Sequence, residues 1–230
     1  RKVWGRWARG SGAGSSGPRP VRERLWGGGS GRTPVTAVST GNEFACAILR
    51  QGMLFCWGRG GRGRLGQGDE TDRDSPRRVL GSEWGHQPGN IPVVDVSCGG
   101  VHSCALVADG SVHCWGVGVS GRIGFGDEVD RLSPRRINAA NWGSEANRVA
   151  VVDVELGSGH SCALVADGSV WCWGAGASGR TGLNSRNDAL SPGQVTGIVE
   201  APGAGASSAQ QVSAGGKHTC AVSGTGRMWC

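Results

Sequence analysis

A repeat with a period of 58 residues is the feature that most restricts how this chain can fold. The segment HSCALVADGSVHCWG from His102 and the segment HSCALVADGSVWCWG from His160 are nearly identical, and FACAILRQGMLFCWG from Phe44 follows the same pattern. A fourth copy, HTCAVSGTGRMWC, runs from His218 to the last residue. Such a constant period indicates one structural unit that is repeated, each copy being too small to bury a core without its neighbours.

Within each unit the pattern is that of a tight β-hairpin. In the second unit, Ala105–Val107 and Ser111–Cys114 are short runs of small, branched and apolar residues, separated by the turn sequence Ala108–Gly110. A three-residue loop that ends in Gly closes a hairpin with a bulge. In that register Cys104 lies directly opposite Cys114.

Further strands are predicted on both sides of the hairpin. Val93–Val96 and its copy Val151–Val154 are short branched runs upstream of the hairpin. Downstream, Ser133–Ile137 predicts an edge strand that has Pro134 at its start, where no ladder donor is lost. Three or four short strands in each unit are typical of a β-propeller blade, so the predicted fold class is all-β.

Composition excludes other repetitive folds. Gly accounts for 44 of the 230 residues, but no strict three-residue Gly period is present and Pro is only 9, which excludes collagen. An α-helical bundle is excluded because Gly costs about 1 kcal/mol at each helical position. The apolar runs are far shorter than the roughly 18 residues of a membrane span, so no membrane span is expected.

The net charge of +6 comes from one segment. Residues 1–32 hold eight basic residues and one acidic residue, whereas the rest of the chain, with 16 basic and 17 acidic residues, is close to neutral. A folded domain that reads nucleic acid needs a basic face. We therefore expect no nucleic-acid partner.

The second unit resembles a known family over its whole length. The string GGVHSCALVADGSVHCWGVGVSGRIGFGDEVDRLSPRRI is similar to the regulator-of-chromosome-condensation repeat. This resemblance covers residues 33–230 and implies a β-propeller, most often of seven blades. Because the chain holds about four units, we expect an arc of a seven-bladed propeller; a closed ring of four blades is the alternative.

The repeat also predicts the domain organisation. The blades are expected at approximately 33–92, 93–150 and 151–208, with a partial blade at 209–230. Residues 1–32 are expected to be the end of a preceding repeat followed by a linker rich in Arg, Gly and Ser.

Eight of the nine cysteines form pairs ten residues apart. Opposed residues in a non-hydrogen-bonded strand pair have Cα atoms about 4.5 Å apart, which is within disulfide range. The leading hypothesis is one cross-strand disulfide in each unit; the alternatives are buried thiols or, without any Cys-x-x-Cys spacing, metal ligands. The pairs are Cys46/Cys56, Cys104/Cys114, Cys162/Cys172 and Cys220/Cys230.

Disulfides would place the protein in an oxidising compartment, extracellular, periplasmic or within an organelle lumen. If the cysteines are reduced, a nuclear or cytoplasmic location is the alternative. Cys98 has no partner at the period and is expected to be a buried thiol.

Tryptophans fall into two groups. Trp57, Trp115 and Trp173 follow a cysteine at each period and are expected to pack between blades. Trp26, Trp84 and Trp142 lie in Gly-containing insertions, where loop aromatics are candidates for partner contacts. The same three side chains could equally cap blade edges.

Other motifs are interpreted as structural. The sequence G-x-G-x-x-G occurs at Gly116–Gly121, but no helix is predicted after it to hold a pyrophosphate. His102, His160 and His218 are expected to be core imidazoles, and acidic loops such as Gly126–Asp130 to be solvated rather than Ca²⁺ sites. We thus predict no catalytic residue, no cofactor and no metal.

The predicted function is a non-catalytic scaffold that binds proteins, a structural subunit of a larger extracellular or luminal assembly. Its partners would be other protein subunits, including copies of itself. Two alternatives remain. The family's founding member implies guanine-nucleotide exchange on a small GTPase, and bacterial relatives imply a secreted inhibitor or binding protein.

Overall fold

Fifteen short strands make up the described part of the chain, in agreement with the all-β prediction. The computed structural model describes residues 34–80, 91–138, 142, 150–198 and 209–230. The strands are β1 (Val35–Thr40), β2 (Phe44–Leu49), β3 (Leu54–Gly58), β4 (Arg73–Arg78), β5 (Val93–Cys98), β6 (His102–Val107), β7 (Val112–Gly116), β8 (Arg131–Arg136), β9 (Val151–Leu156), β10 (His160–Val165), β11 (Val170–Gly174), β12 (Ala189–Gln194), β13 (Ala209–Ala214), β14 (Thr219–Ser223) and β15 (Met228–Trp229).

These strands form four antiparallel sheets, one for each repeat. Three sheets are meanders of four strands, β1 to β4, β5 to β8 and β9 to β12, and the fourth contains β13 to β15. The first strands of successive sheets contact one another, from β1 to β5, to β9 and to β13. The sheets are therefore arranged around the line of their first strands as consecutive blades of a partial β-propeller.

The hairpin at the centre of each unit has the predicted register. Cys104 lies opposite Cys114, and His102 lies opposite Gly116. The turn closes through a hydrogen bond of 2.9 Å from the backbone N–H of Gly110 to the carbonyl oxygen of Val107. Gly110 has a φ of +79°, a conformation that glycine adopts without strain.

The hydrophobic core is divided among four clusters, of which three are each shared by two neighbouring sheets and one, formed by Ala47, Leu49, Phe55 and Trp57, lies within the first sheet. In the first shared cluster, Ile48 and Leu54 of the first sheet pack with Val96 and Trp115 of the second. The other two shared clusters join the second sheet to the third and the third to the fourth. Most of the buried apolar side chains thus pack against a neighbouring unit, as the repeat period predicts.

Each first strand makes contacts in two directions. Val96 and Cys98 face the preceding sheet, whereas the hydroxyl of Ser97 accepts a hydrogen bond of 3.1 Å from the backbone N–H of Leu156 in the following sheet. The equivalent hydroxyl of Ser39 accepts from the N–H of Cys98 at 3.0 Å. These bonds fix the spacing of the blades near the axis.

The fourth strand of the second unit differs in one detail from its prediction. It begins at Arg131, so Pro134 lies inside the strand and not at its start. The pairing with β7 is irregular between Cys114 and Gly116, opposite this part of β8. The edge strand accommodates proline at an irregularity where no ladder hydrogen bond requires its N–H.

Two predictions are not tested by these coordinates. The assignment of residues 1–32 lies outside the described residues, and the exact boundaries of the blades stay predictions. Among the residues described, no helix is long and apolar enough to cross a membrane.

Shared cores lead to a prediction about Val154, which is fully buried between the second and third sheets. We expect Val154→Ala to lower the free energy of unfolding by about 2 kcal/mol, because it leaves a cavity in a packed interface. Urea denaturation followed by tryptophan fluorescence measures the change. The control is Val152→Ala on the same strand, where the side chain is 53% exposed and the change should stay within about 0.5 kcal/mol. Equal effects of the two variants would contradict the shared core.

Candidate functional site

Each of the four sheets contains one disulfide across its central hairpin. The bonds join Cys46 to Cys56, Cys104 to Cys114, Cys162 to Cys172 and Cys220 to Cys230, with the two Cα atoms of each pair 4.1 Å apart. The first three bonds are buried in the clusters between sheets. Cys230 is exposed, because no described sheet lies over the outer face of the fourth unit.

Cys98 is the free cysteine, and it is buried as predicted. Burial raises the pKa of its thiol to about 12, against smaller opposing effects of hydrogen bonds from Ser39 and Ser103. A thiol in this environment is not a nucleophile at neutral pH.

A hydroxyl group on the second strand of the second, third and fourth sheets links each of them to the preceding unit. Ser161 donates a hydrogen bond of 2.8 Å to the backbone carbonyl of Arg122, and Thr219 donates one of 2.9 Å to the carbonyl of Arg180. Ser103 makes the equivalent bond to the carbonyl of Arg64 at 3.2 Å. The same separation of 39 residues thus produces one polar link at every interface between described units.

Histidine adds a second bond to two of these links. The Nε2 atom of His102 lies 2.9 Å from the hydroxyl of Ser161, and that of His160 lies 2.8 Å from the hydroxyl of Thr219. Because each hydroxyl already donates to a carbonyl, the imidazole donates from Nε2, which leaves Nδ1 as an acceptor. His218, in contrast, is exposed on the open face of the fourth sheet.

Both linked imidazoles are strongly favoured in the neutral form. Burial, followed by the charge of Arg122, lowers the pKa of His102 to about 3. Burial and the charge of Arg180 lower the pKa of His160 to about 4. In both residues Nδ1 is buried and has no hydrogen-bond partner among the described atoms.

Of the three period tryptophans, Trp115 and Trp173 pack between units, as expected, whereas Trp57 packs in a cluster within the first sheet. The indole of Trp115 lies in the cluster shared by the first and second sheets, and its Nε1 donates a hydrogen bond of 3.0 Å to the carbonyl of Arg64. Trp173 lies in the cluster shared by the second and third sheets.

The sequence left two roles open for Trp142, contact with a partner and packing at a blade edge. In the structure its side chain is packed. Its side chain is only 5% exposed, and its ring makes edge-to-face contacts with Trp171 at 5.9 Å and Trp173 at 5.7 Å. The indole is therefore covered by these contacts, and the contact of Trp142 with a partner stays a prediction. Trp26 and Trp84 lie outside the described residues.

The acidic loop of the second unit is engaged by groups of its own unit and by Arg62 of the first unit. Asp130 accepts a hydrogen bond of 2.8 Å from the N–H of Gly118, and Glu128 accepts one of 2.8 Å from the N–H of Ser120. Asp127 forms an ion pair of 2.7 Å with Arg131. Within the part of the chain that the structure describes, no group of three or more His, Cys, Asp or Glu side chains could hold a metal ion.

The glycine motif ends in a short 3₁₀ turn in each of the first three units. These turns are Gly61–Gly63, Val119–Gly121 and Ala177–Gly179. Their central residues, such as Ser120 with a φ of +61°, adopt a left-handed conformation. The backbone therefore reverses at once after the strand, and no helix begins there to bind a phosphate.

An arginine that the sequence interpretation overlooked closes each of these turns. Arg64, Arg122 and Arg180 follow the period, and the Nε of each donates to the carbonyl three residues earlier, at 3.0, 2.8 and 2.7 Å. The period itself is the signal that could have identified them. These arginines are the charged residues placed closest to the links between units.

Comparison with known families agrees with this architecture. The model of the regulator of chromosome condensation (RCC1) repeat matches residues 51–106, 109–164 and 167–222. A second model of the same repeat matches residues 35–64, 93–122 and 151–180.

Individual proteins show the same similarity. The probable E3 ubiquitin-protein ligase HERC3 of Homo sapiens is 34% identical over 188 residues, which is 81% of this chain and 16% of the ligase. The crystal structure of human WBSCR16 superimposes with a TM-score of 0.69 at 25% identity, over 83% of this chain and 45% of that one. Prp20p of Saccharomyces cerevisiae has the same fold, with a TM-score of 0.65 at 21% identity, over 80% of this chain and 42% of its own. The chain thus spans less than half the length of each of these proteins.

The histidine links predict a pH dependence of stability. Below about pH 6.5 the unfolded chain protonates His102 and His160 while the folded protein keeps them neutral, so the free energy of unfolding falls as the pH falls. Each histidine should contribute about 2 kcal/mol to the difference between pH 7 and pH 5. Urea denaturation at the two pH values measures this difference.

The variant His102→Phe isolates the contribution of one link, since Phe44 occupies the equivalent position in the first unit. It should remove about half of the histidine effect. Comparing variants is necessary because burial raises the pKa of Asp95, Asp153 and Glu155, and these carboxyl groups oppose the histidine effect. Identical pH profiles for His102→Phe and the unmodified protein would contradict the assignment.

The four disulfides predict the outcome of thiol labelling. In denatured but unreduced protein, alkylation should modify Cys98 and none of the other eight cysteines. Peptide mapping without reduction should then recover the four linked pairs. Labelling of all nine cysteines before reduction would show that the bonds do not form in the protein.

Proposed function

The chain belongs to the regulator of chromosome condensation (RCC1) repeat family, and on that premise we propose that it is a non-catalytic β-propeller scaffold that binds other proteins. The observation that carries this proposal is a difference between two sets of residues within each unit, those at the interfaces between sheets and those on the exposed loops. Residues at the interfaces between sheets are nearly the same in every unit, whereas residues on the exposed loops differ. A rigid frame with variable loops suits recognition.

One loop position illustrates this variation. The exposed residue that precedes the strand β4, β8 or β12 by two positions is Thr71 in the first unit, Val129 in the second and Asn187 in the third. Each unit therefore presents different chemistry from the same backbone position. An extended surface of this kind can contact one partner through several blades.

Neighbouring subunits are a further part of the proposal. Val38 on β1 is 65% exposed, although its equivalents Val96, Val154 and Val212 are buried between sheets. An apolar face of this kind is normally covered by a partner. Other protein subunits, including copies of this chain, would supply such a cover in a structural assembly.

We also propose that the protein functions in an oxidising compartment, extracellular or within an organelle lumen. Four disulfides in one chain support this location, because cytosolic thiols are kept reduced. The finer assignment of the blades to residues 33–92, 93–150, 151–208 and 209–230 belongs to the same proposal, and its support is the position of the four sheets.

The two alternative functions make separate predictions. Guanine-nucleotide exchange would appear as accelerated release of a labelled nucleotide from a small GTPase. Inhibition of a secreted enzyme would appear as loss of that enzyme's activity on addition of the chain. A scaffold produces a stable complex without either effect.

Site-specific photo-cross-linking tests the scaffold proposal. A benzophenone amino acid is placed singly at residues 71, 129 and 187 in the exposed loops, and as controls at residues 78 and 136 on the outer strands. We expect covalent adducts with a protein from the native extract at one or more loop positions, and these adducts should disappear when excess unlabelled chain competes. Partners are identified by mass spectrometry and then rebound in purified form. If none of the three loop positions gave an adduct that the unlabelled chain competes away, the proposal would be contradicted.

A further inference from the structure

We propose that Arg122, Arg180 and Lys217, together called the cationic row, bind a carboxylate-rich segment of a partner protein. This inference rests on the proposed scaffold function and names the chemistry of one binding surface. The three residues lie at one end of the second, third and fourth units, where the loops leave the sheets.

Each arginine of the row is held in place at two points. The backbone carbonyl of Arg122 accepts the hydroxyl of Ser161 in the next unit, and its Nε donates to the carbonyl of Val119. Arg180 is held in the same way by Thr219 and by the carbonyl of Ala177. The side chains are thereby pre-organised, which reduces the entropy lost when a ligand binds.

The remaining guanidinium groups are directed along the row. The Nη2 atom of Arg122 lies 3.7 Å from the position that a Cβ atom on Gly159 would occupy, so this arginine reaches over the next unit. Lys217 is the residue of the fourth unit that corresponds to Gly159, and its side chain is exposed. The geometry of one unit, transferred to the next, therefore brings Lys217 beside the end of Arg180.

The row carries charge that the described residues do not pair. Four other arginines of the described region, Arg59, Arg62, Arg73 and Arg131, form ion pairs within 4.0 Å, whereas the described residues form none with Arg122, Arg180 or Lys217. The hydrogen bonds that the described part of the structure gives to each of these two arginine side chains come from Nε alone. Both Nη groups of each guanidinium thus remain available to acceptors.

The carboxylates closest to Arg122 are already engaged. Asp130 accepts two hydrogen bonds from Arg62, at 2.6 and 2.9 Å, and one from the N–H of Gly118. Asp188 accepts a bond of 2.9 Å from the N–H of Gly176 and a further one from Ser120. These groups moderate the positive potential but do not contact the row.

Burial and like charges act on the row together. Partial burial, followed by the charge of Arg62, lowers the pKa of Arg122, and Arg180 adds to this effect against the fields of Asp130 and Asp188. Partly desolvated cations of the same sign repel one another, and an anionic ligand relieves that repulsion. A carboxylate or phosphate would meet this electrostatic requirement equally well.

The surroundings favour a polypeptide over a nucleic acid. Val119, whose carbonyl accepts the hydrogen bond from Nε of Arg122, is 40% exposed, and Val129 on the adjoining loop is 59% exposed. Protein interfaces combine apolar contacts with charged groups, whereas nucleic-acid binding relies on an extended basic face. Beyond residue 32 the chain has no excess of basic residues.

Arg64 is excluded from the row although it follows the same period. Its side chain is buried. Its Nη1 donates a hydrogen bond of 3.2 Å to the carbonyl of Asn42, in addition to the bond from its Nε to the carbonyl of Gly61. The surface is therefore confined to the second, third and fourth units.

Fluorescence anisotropy with a labelled peptide of ten glutamates tests the proposal on the full chain. We expect saturable binding that weakens with salt, and no binding of a ten-glutamine peptide. The double variant Arg122→Gln/Arg180→Gln should bind at least tenfold more weakly. The matched control Arg77→Gln/Arg78→Gln removes the same charge from exposed residues of β4 and should bind like the unmodified protein. Equal losses in the two double variants would overturn the proposal.

A second variant preserves both hydrogen bonds that hold Arg122, the one from the hydroxyl of Ser161 and the one to the carbonyl of Val119. Val119→Glu places a carboxylate on an exposed residue beside Arg122 and should also weaken peptide binding about tenfold, by competing for the guanidinium. Thermal denaturation checks that each variant is folded, and unchanged binding by folded Val119→Glu would overturn the proposal. A ten-nucleotide DNA strand that bound more tightly than the glutamate peptide through the same residues would identify the ligand as a phosphate chain. That result would also overturn the proposal. If competed cross-links form at the loops but the glutamate peptide does not bind, the scaffold function stands and this inference fails.

Discussion

Every sheet of this arc depends on its neighbours, because most of the apolar core lies in clusters that two neighbouring units share. Ile48 and Leu54 of the first unit find their contacts in Val96 and Trp115 of the second, and the same relation holds at the two following interfaces. Stability in such an array is approximately the sum of unit and interface contributions. A face without a neighbour remains apolar and exposed, as Val38 shows.

The polar links follow from the same packing. Once the sheets are in contact, the carbonyl oxygens of Arg64, Arg122 and Arg180 would be buried against apolar atoms, and a buried carbonyl without a partner is costly. The hydroxyls of Ser103, Ser161 and Thr219 satisfy these carbonyls from the next unit. The residues that complete the core therefore also fix the loops from which the arginine side chains extend.

Much of this architecture could be predicted from the sequence, because a period of 58 residues applies the same local rules four times. The hairpin register followed from a turn ending in Gly110, and with it the opposition of Cys104 and Cys114. The role of Trp142 could not be predicted, since its spacing is compatible with packing and with exposure, and its contacts with Trp171 and Trp173 cross between units. The link from Arg122 to Ser161 likewise joins residues that only the stacking of sheets brings together.

The structure separates what must stay constant from what can vary. The link hydroxyl and the carbonyl that it binds recur at each interface, so a substitution there would loosen two units at once. The position two residues before that of the link hydroxyl differs in charge and size between successive units. It carries Glu43, Val101, Gly159 and Lys217. Because that position contributes little to the shared core, its chemistry can change without loss of the fold. A repeat protein built in this way can acquire a new binding surface, such as the cationic row, by substitutions at a few loop residues while every sheet remains in place.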